Sequence, residues 1–184
     1  MRRAVFLDRD GTVLHDPGHL HRKEEVSFLP GAVDGLRRLG EAGFALVFVT
    51  NQSVIAQGII TEEEFASLDA YILGLLAREG VRMEQTYYCP HHPEKGKGGY
   101  RTVCDCRKPK PGLLLKAADE LGIDLRKSFM VGDKPSDIAA GAAAGCTTIL
   151  VLTGEHANRD AEASPDLVAD DLRAAAQLIL RRER

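Results

Sequence analysis

The chain is 184 residues long, enough for one domain to bury a core without staples, so its 4 cysteines are not needed as a scaffold. Hydrophobic residues make up 44% and charged residues 28%, the balance of a globular enzyme, and a net charge of −3 with a pI near 6.1 excludes binding nucleic acid by bulk charge. The apolar stretch between Arg3 and Asp8 is far too short for a signal sequence and no membrane-length apolar run occurs elsewhere, so a cytoplasmic protein with no membrane partner is expected, in a compartment that disfavours stable disulfides.

In chain order, the first apolar run, residues 3–8, reads as a strand ending in FLDRDGT, residues 6–12. Asp8, then Asp10 two positions on, then a glycine turn put two carboxylates at the mouth of a sheet. Asp8 is the candidate nucleophile towards phosphorus and Asp10 the candidate acid and base; the competing reading is a turn with solvated acids. His15, His19 and His21 in the next loop read as solvated rather than as a metal site. A helix is predicted over 30–43, with Pro30 near its start and Gly43 as its C-terminal cap. The strand 44–51 ends in Thr50 and Asn51, placed to donate to phosphate oxygens or simply to cap the next helix. That helix opens at TEEE, where Thr61 and Glu64 form a capping box ahead of Phe65, Leu68, Ile72 and Leu75.

A third strand, 83–89, leads into CPHHPEKGKGGYRTVCDCR, residues 89–107, which holds three of the four cysteines. Cys89 and His91 form a C-x-H pair, and Cys104 and Cys106 a C-x-C pair. Two close pairs of soft or borderline donors suit a closed tetrahedral Zn²⁺ site, with a redox-active cysteine pair as the alternative. A disulfide would strand the third cysteine. His91 is preferred to His92 because alternate residues of an extended strand end point the same way; a helical loop would reverse the choice. A closed site has no open position for chemistry, so its role would be to order the loop and place Arg107 and Lys108, which start immediately after Cys106. The GKGG segment reads as flexible, and Cys146 as a small buried residue entering a strand.

CRKPKPG, residues 106–112, then supplies Arg107, suited to grip an anionic group, and Lys108, suited to neutralise both a phosphate and Asp8; the alternative is a solvated basic loop. Helices are predicted at 111–122, 135–145 and 170–182, strands at 128–133 and 147–154, and a polar surface connection at 155–169. VGDKPSD, residues 131–137, ends its strand in Asp133, which with Asp8 and turn oxygens forms a hard-ligand site for Mg²⁺. Asp137 reads as a group behind the ligands, steadying Lys108 or a metal-bound water, or as a helix-start acid. Strands and helices alternating in this way predict an α/β fold: a doubly wound, mostly parallel sheet flanked by helices, with the polar strand ends at its ligand-binding edge.

The four motifs, in this order, resemble the haloacid dehalogenase-like phosphatases over residues 4–153. The resemblance implies phosphotransfer through Asp8, with Asp10 as acid and base and Lys108 beside them. It implies Mg²⁺ held by the Asp8 side chain, the Asp10 main-chain carbonyl and Asp133, with Lys134 and Asp137 behind them. The zinc loop and RKPKPG are similar to a branch of that superfamily acting on small phosphorylated metabolites. The implied substrate is D-glycero-D-manno-heptose 1,7-bisphosphate, losing its 7-phosphate in the making of activated heptose for lipopolysaccharide or S-layer glycans. Thr50, Asn51, Ser53 and Arg107 are the implied substrate contacts. Histidinol phosphate is the alternative substrate; Ser53, Ile55, Ala56, Gly58, Pro111 and Gly112 favour the sugar. Residues 51–58 read NQSVIAQG where the family reads NQSGIARG, so Val54 and Gln57 depart from it near the substrate. No insertion long enough for a large cap is present. Residues 1–184 are expected to form a single domain acting as a monomer, with short loops and the zinc loop enclosing the substrate. A non-enzymatic zinc-binding interaction protein, the rival reading, predicts loss of Asp8, Asp10, Lys108 or Asp133, and none is lost.

Overall fold

A computed structural model describes residues 1–154 and 164–182. Six strands form one all-parallel sheet: β1 (Ala4–Leu7), β2 (Ala45–Asn51), β3 (Gln85–Cys89), β4 (Phe129–Gly132), β5 (Thr147–Val151) and β6 (Leu167–Ala169). Their order is β3-β2-β1-β4-β5-β6, so the chain winds outwards from β1 in one direction and then restarts on its other side at β4. The switch point lies between β1 and β4, where a doubly wound sheet opens a crevice at its carboxyl edge.

The helices are α1 (Ala32–Glu41), α2 (Ser53–Ala56), α3 (Glu62–Arg78), α4 (Gly112–Leu121), α5 (Pro135–Ala144) and α6 (Leu172–Arg182). Alternation along the central strands sorts the core into two layers. Val5 and Leu7 of β1 and Leu46 and Phe48 of β2 face a layer containing Leu36 and Leu39 of α1, Ile72 and Leu76 of α3, and Ile179 of α6. Ala4, Phe6, Val47 and Val49 face the opposite layer, with Leu113, Leu114 and Ala117 of α4 and Ala140 of α5. Runs this apolar on both faces require helices above and below, as the doubly wound reading anticipates.

The expected elements are present, with adjusted ends. The capping box of α3 forms in both directions, Glu64 N donating to Thr61 Oγ1 (3.1 Å) and Thr61 N to Glu64 Oε2 (2.8 Å). Its buried stripe is Phe65, Leu68, Ile72 and Leu76; Leu75 is only half-buried, because four-residue steps from Leu68 carry the stripe to 76. The one-turn helix α2 lies where only a loop was read. The surface connection over 155–169 requires correction at its end: Leu167–Ala169 pairs with β5 as the sheet's edge strand, while 155–163 lie outside the described residues. Three residues of a short edge strand carry too little alternation to announce themselves. No helix among the described residues is long and apolar enough to cross a membrane.

Candidate active site and metal centre

The polar residues that end β1, β2 and β4 converge at the switch point. Lys108 is the central cation: its buried Nζ donates to Asp8 Oδ1 (2.8 Å) and to the Val49 carbonyl (2.7 Å), and lies 2.6 Å from Asp137 Oδ1. Its backbone is clamped from β2 by Asn51, whose Oδ1 accepts from Lys108 N (3.1 Å) while its Nδ2 donates to Lys108 O (3.0 Å). One N–H of the amide expected to reach a phosphate oxygen is thus given to Lys108, while the second stays available on the cleft wall. Asn51 positions the lysine.

Burial by itself would raise the Asp8 carboxyl, but the ammoniums of Lys108 and Lys134 and the Lys108 hydrogen bond outweigh it and hold the group below the usual carboxylate range. Asp133 behaves oppositely. Burial and the neighbouring Asp8 push it up to about 7, against opposing pulls from Lys134 and Thr12, whose Oγ1 donates to Asp133 Oδ1 at 3.1 Å. Burial, then Asp8, likewise pushes Asp137 up to about 6 despite Lys108. One carboxylate is kept ionised while two are under pressure to take up a proton.

Asp8, Asp133 and Asp137 offer oxygens lying within 4.8 Å of one another. With all three ionised, three carboxylates against two ammoniums leave the cluster one negative charge, the wrong sign for a phosphate monoester to approach; a divalent cation would reverse it and relieve the pressure on Asp133 and Asp137 to take up protons. The donors are all hard oxygens. The cradle is shaped by glycines: a Cβ on Gly11 would come within 2.5 Å of Asp133 Oδ2, and one on Gly154 closer still. Lys134 Nζ lies 3.5 Å from the Asp10 carbonyl oxygen and 3.6 Å from Asp16 Oδ2, so an ammonium already sits near the carbonyl expected to face the metal. These residues fit Mg²⁺, which Asp8, Asp133 and the Asp10 carbonyl would hold, with Asp137 beside Lys108.

Asp10 carries three hydrogen bonds that the sequence did not foretell. Arg9, fully buried, donates from Nε to Asp10 Oδ1 (2.8 Å) and from Nη2 to Asp10 Oδ2 (3.0 Å), and Gln52 Nε2 donates to Oδ2 (3.0 Å) and to Thr50 Oγ1 (2.9 Å). Thr50 therefore accepts from Gln52 and keeps its own hydroxyl proton to donate. Arg9 was discoverable: an arginine between two aspartates at the end of a fully apolar strand has no route to water and needs a buried partner.

A cleft of about 150 Å³ opens onto this cluster, lined by Asp8, Asp10, Thr50, Asn51, Ser53 and Lys108 among the expected residues. Lys134, Asp137 and Val54, also singled out from the sequence, line it too, whereas its remaining walls were missed: Asp16, Gly18, His19 and Leu20 from the loop after β1, and Gln52 and Ser136. Val54, a departure from the family pattern, is thus on the wall, whereas Gln57 is not. Arg107 does not line the cleft; its Nη1 donates to Ser53 Oγ (3.3 Å) and to the His91 carbonyl (2.9 Å). No residue of 89–106 lines it either, so the loop expected to enclose the substrate does not form a wall of this cleft; it leads into Arg107 and Lys108.

In that loop Cys89, His91, Cys104 and Cys106 come together as expected. The sulfurs lie 3.0–3.5 Å apart, and His91 Nδ1 is 3.7 Å from Cys89 Sγ and 3.4 Å from Cys106 Sγ. These separations approach the edges, about 3.4–3.8 Å, of a tetrahedron of sulfur and nitrogen around zinc. All four cysteines are free, which removes the disulfide. His92 is occupied elsewhere: its Nδ1 accepts from Glu94 N (3.2 Å) and Lys95 N (3.0 Å), capping the loop's turn. The donors present fit Zn²⁺. Tyr88 and Tyr100 both donate to Glu62 (2.6 and 2.8 Å), pinning the loop to the start of α3.

Comparison with known proteins agrees with this geometry. Residues 105–175 match a family model described as HAD-hydrolase-like. A D-glycero-beta-D-manno-heptose-1,7-bisphosphate 7-phosphatase from Yersinia pestis is 48% identical over 170 residues, covering 92% of this chain and 90% of that one. The enzyme of the same name from Escherichia coli K12 is 45% identical over 182 residues, covering 98% and 95%. The chain belongs to this family of haloacid dehalogenase-like phosphatases. It is a phosphoric monoester hydrolase, and phosphatases of this superfamily use Mg²⁺. The crystal structure of D,D-heptose 1,7-bisphosphate phosphatase from B. bronchiseptica, complexed with magnesium and phosphate, superposes with a TM-score of 0.84 at 32% identity, over 98% of this chain and 99% of that one.

Each metal assignment has a measurable consequence. Mg²⁺ must displace a proton from Asp133 below about pH 7, so at pH 6 only about a tenth of that carboxyl is ionised and affinity falls roughly tenfold. At fixed Mg²⁺, the metal-induced rise in Tm is expected to be larger at pH 8 than at pH 6; an equal rise would refute the Asp133 assignment. Cys104→Ser is expected to lose stoichiometric zinc by elemental analysis and to open 89–106 to protease. Full zinc retention would remove Cys104 from the ligand set.

Proposed function

We propose that the protein removes the 7-phosphate of D-glycero-β-D-manno-heptose 1,7-bisphosphate, through an aspartyl phosphate on Asp8, in activated-heptose biosynthesis. The single observation that carries the chemistry is the buried Lys108–Asp8 pair, with Asp10 two residues on and open to the same cleft. The sugar, and its β anomer, are supported by the relatives' activity and by the absence of a large cap, which suits a small substrate.

In the first half-reaction an Asp8 carboxylate oxygen attacks phosphorus, the bond from phosphorus to the C7 oxygen breaks, and Asp10, protonated, gives its proton to that oxygen. The products are the 7-hydroxyl and an acyl phosphate on Asp8. In the second, Asp10 takes a proton from water as the water oxygen attacks phosphorus, and the bond from phosphorus to Asp8 breaks, regenerating the carboxylate and releasing phosphate. Lys108 keeps Asp8 ionised for the attack and offers fixed positive charge to the phosphoryl oxygens in both steps, and Thr50 donates its hydroxyl to them; such preorganised donors are worth about 10²–10³ each in rate. Mg²⁺, when bound by Asp8, Asp133 and the Asp10 carbonyl, supplies the charge that lets two anions meet. Ser53, with Arg107 behind it, is the candidate contact to the sugar or its distal phosphate.

Zn²⁺ on Cys89, His91, Cys104 and Cys106 is assigned a structural role, ordering the segment that delivers Arg107 and Lys108. Four reduced cysteines suit a cytoplasmic compartment, and residues 1–184 are read as one domain acting as a monomer.

Phosphate release with Mg²⁺ from the β and α anomers of the heptose bisphosphate and from histidinol phosphate tests the substrate. A preference of at least tenfold for the β anomer, about 1.4 kcal/mol in transition-state binding, is expected. Preference for histidinol phosphate would overturn the sugar reading and assign the change to the wall carrying Val54.

A further inference from the structure

Arg9 needs a reason to be where it is. Its side chain is fully buried, its guanidinium carbon sits 5.4 Å from the centre of the Phe65 ring, and Nη1 finds no hydrogen-bond partner among the described residues. Nη1 lies 3.9 Å from Asp69 Oδ1, beyond hydrogen-bond reach, and Asp69 is itself held by Thr86 Oγ1 at 3.1 Å. A guanidinium taken out of water is strongly unfavourable unless geometry compensates, and an apolar side chain would fill the same space against Phe65. Its two hydrogen bonds go to one group, Asp10, as a parallel fork of the kind that fixes a carboxylate in its plane. Gln52 reaches the same carboxylate from the end of β2, so donors from two segments converge on the group.

Resting on the acid–base role proposed for Asp10, we propose that Arg9 and Gln52 are positioning residues that lock the Asp10 carboxyl into the single orientation from which it exchanges a proton with the leaving oxygen and then with water. Without them Asp10 keeps its place in the turn but not its aim. The carboxylate remains partly exposed to the cleft while both of its oxygens are gripped from the protein side, which is the arrangement a group needs if it must face a substrate in one pose. Gln52 also donates to Thr50, so one side chain sets the spacing between the proton-transfer group and a phosphate donor.

The consequence is specific to leaving groups. An alkyl oxygen must be protonated as it departs, whereas 4-nitrophenolate leaves without a proton. Loss of aim at Asp10 therefore harms a sugar phosphate far more than 4-nitrophenyl phosphate, while a general loosening of the fold harms both alike. The experiment compares kcat/KM, which reports the steps through departure of the leaving group and not the water attack that both substrates share, on heptose bisphosphate and on 4-nitrophenyl phosphate, with Mg²⁺, for Asp10→Asn, Gln52→Leu, Arg9→Lys and the double variant Gln52→Leu/Asp10→Asn. Gln52→Leu, which leaves the ion pair intact, guards against a folding failure at Arg9. Expected is a selective loss of tenfold or more on the sugar phosphate for each single variant, with Gln52→Leu adding nothing in the Asp10→Asn background. If Asp10→Asn is selective but Gln52→Leu and Arg9→Lys lower both substrates equally or neither, this inference is wrong and the acid–base role stands. Equal losses for Asp10→Asn itself would overturn that role, and this inference with it.

Discussion

The contact on which the rest of the site depends is a lysine ammonium buried against two carboxylates. Lys108 cannot stay charged in that interior without Asp8 and Asp137, and neither carboxylate is at ease there without it. Breaking such a pair by removing one partner strands the other charge and is typically destabilising by about 3–5 kcal/mol. The three residues come from the end of β1, the loop before α4 and the first turn of α5, and Lys108 also bonds the end of β2 through Val49. A single ammonium therefore ties together the two halves of a sheet at the point where its winding reverses.

Several features have the same purpose once that cation is fixed. Asn51 grips the lysine's backbone on both sides, and the cysteine and histidine cluster ends two residues before it. The loop of 89–106 contributes no wall to the cleft, yet its geometry sets where Lys108 and Arg107 begin. A cysteine and histidine cluster outside the cleft thus bears on it through the direction from which the charged residues enter.

Much of this was legible in the sequence because strand ends are where an apolar run meets a polar residue with no choice of direction. Asp8, Thr50, Asn51 and Asp133 were found in that way, and the cysteine spacing was sufficient to choose four residues that the structure brings together. What could not be read was partnership. Nothing in the sequence says that Lys108's backbone draws on both amide atoms of Asn51, or that Nη1 of Arg107 is turned to Ser53 and the His91 carbonyl. The loop carrying Asp16, Gly18, His19 and Leu20 has no periodicity to place it over the cleft, and β6 is too short to show a pattern.

The central claim is that Lys108 holds Asp8 ionised as a nucleophile that becomes covalently phosphorylated. The most direct measurement is acid quenching during turnover, with peptide mapping for the added mass of one phosphoryl group. The account requires that mass on the peptide containing Asp8, released by hydroxylamine as an acyl phosphate should be. A phosphorylated histidine, or turnover with no covalent species on rapid quenching at any time, would contradict it.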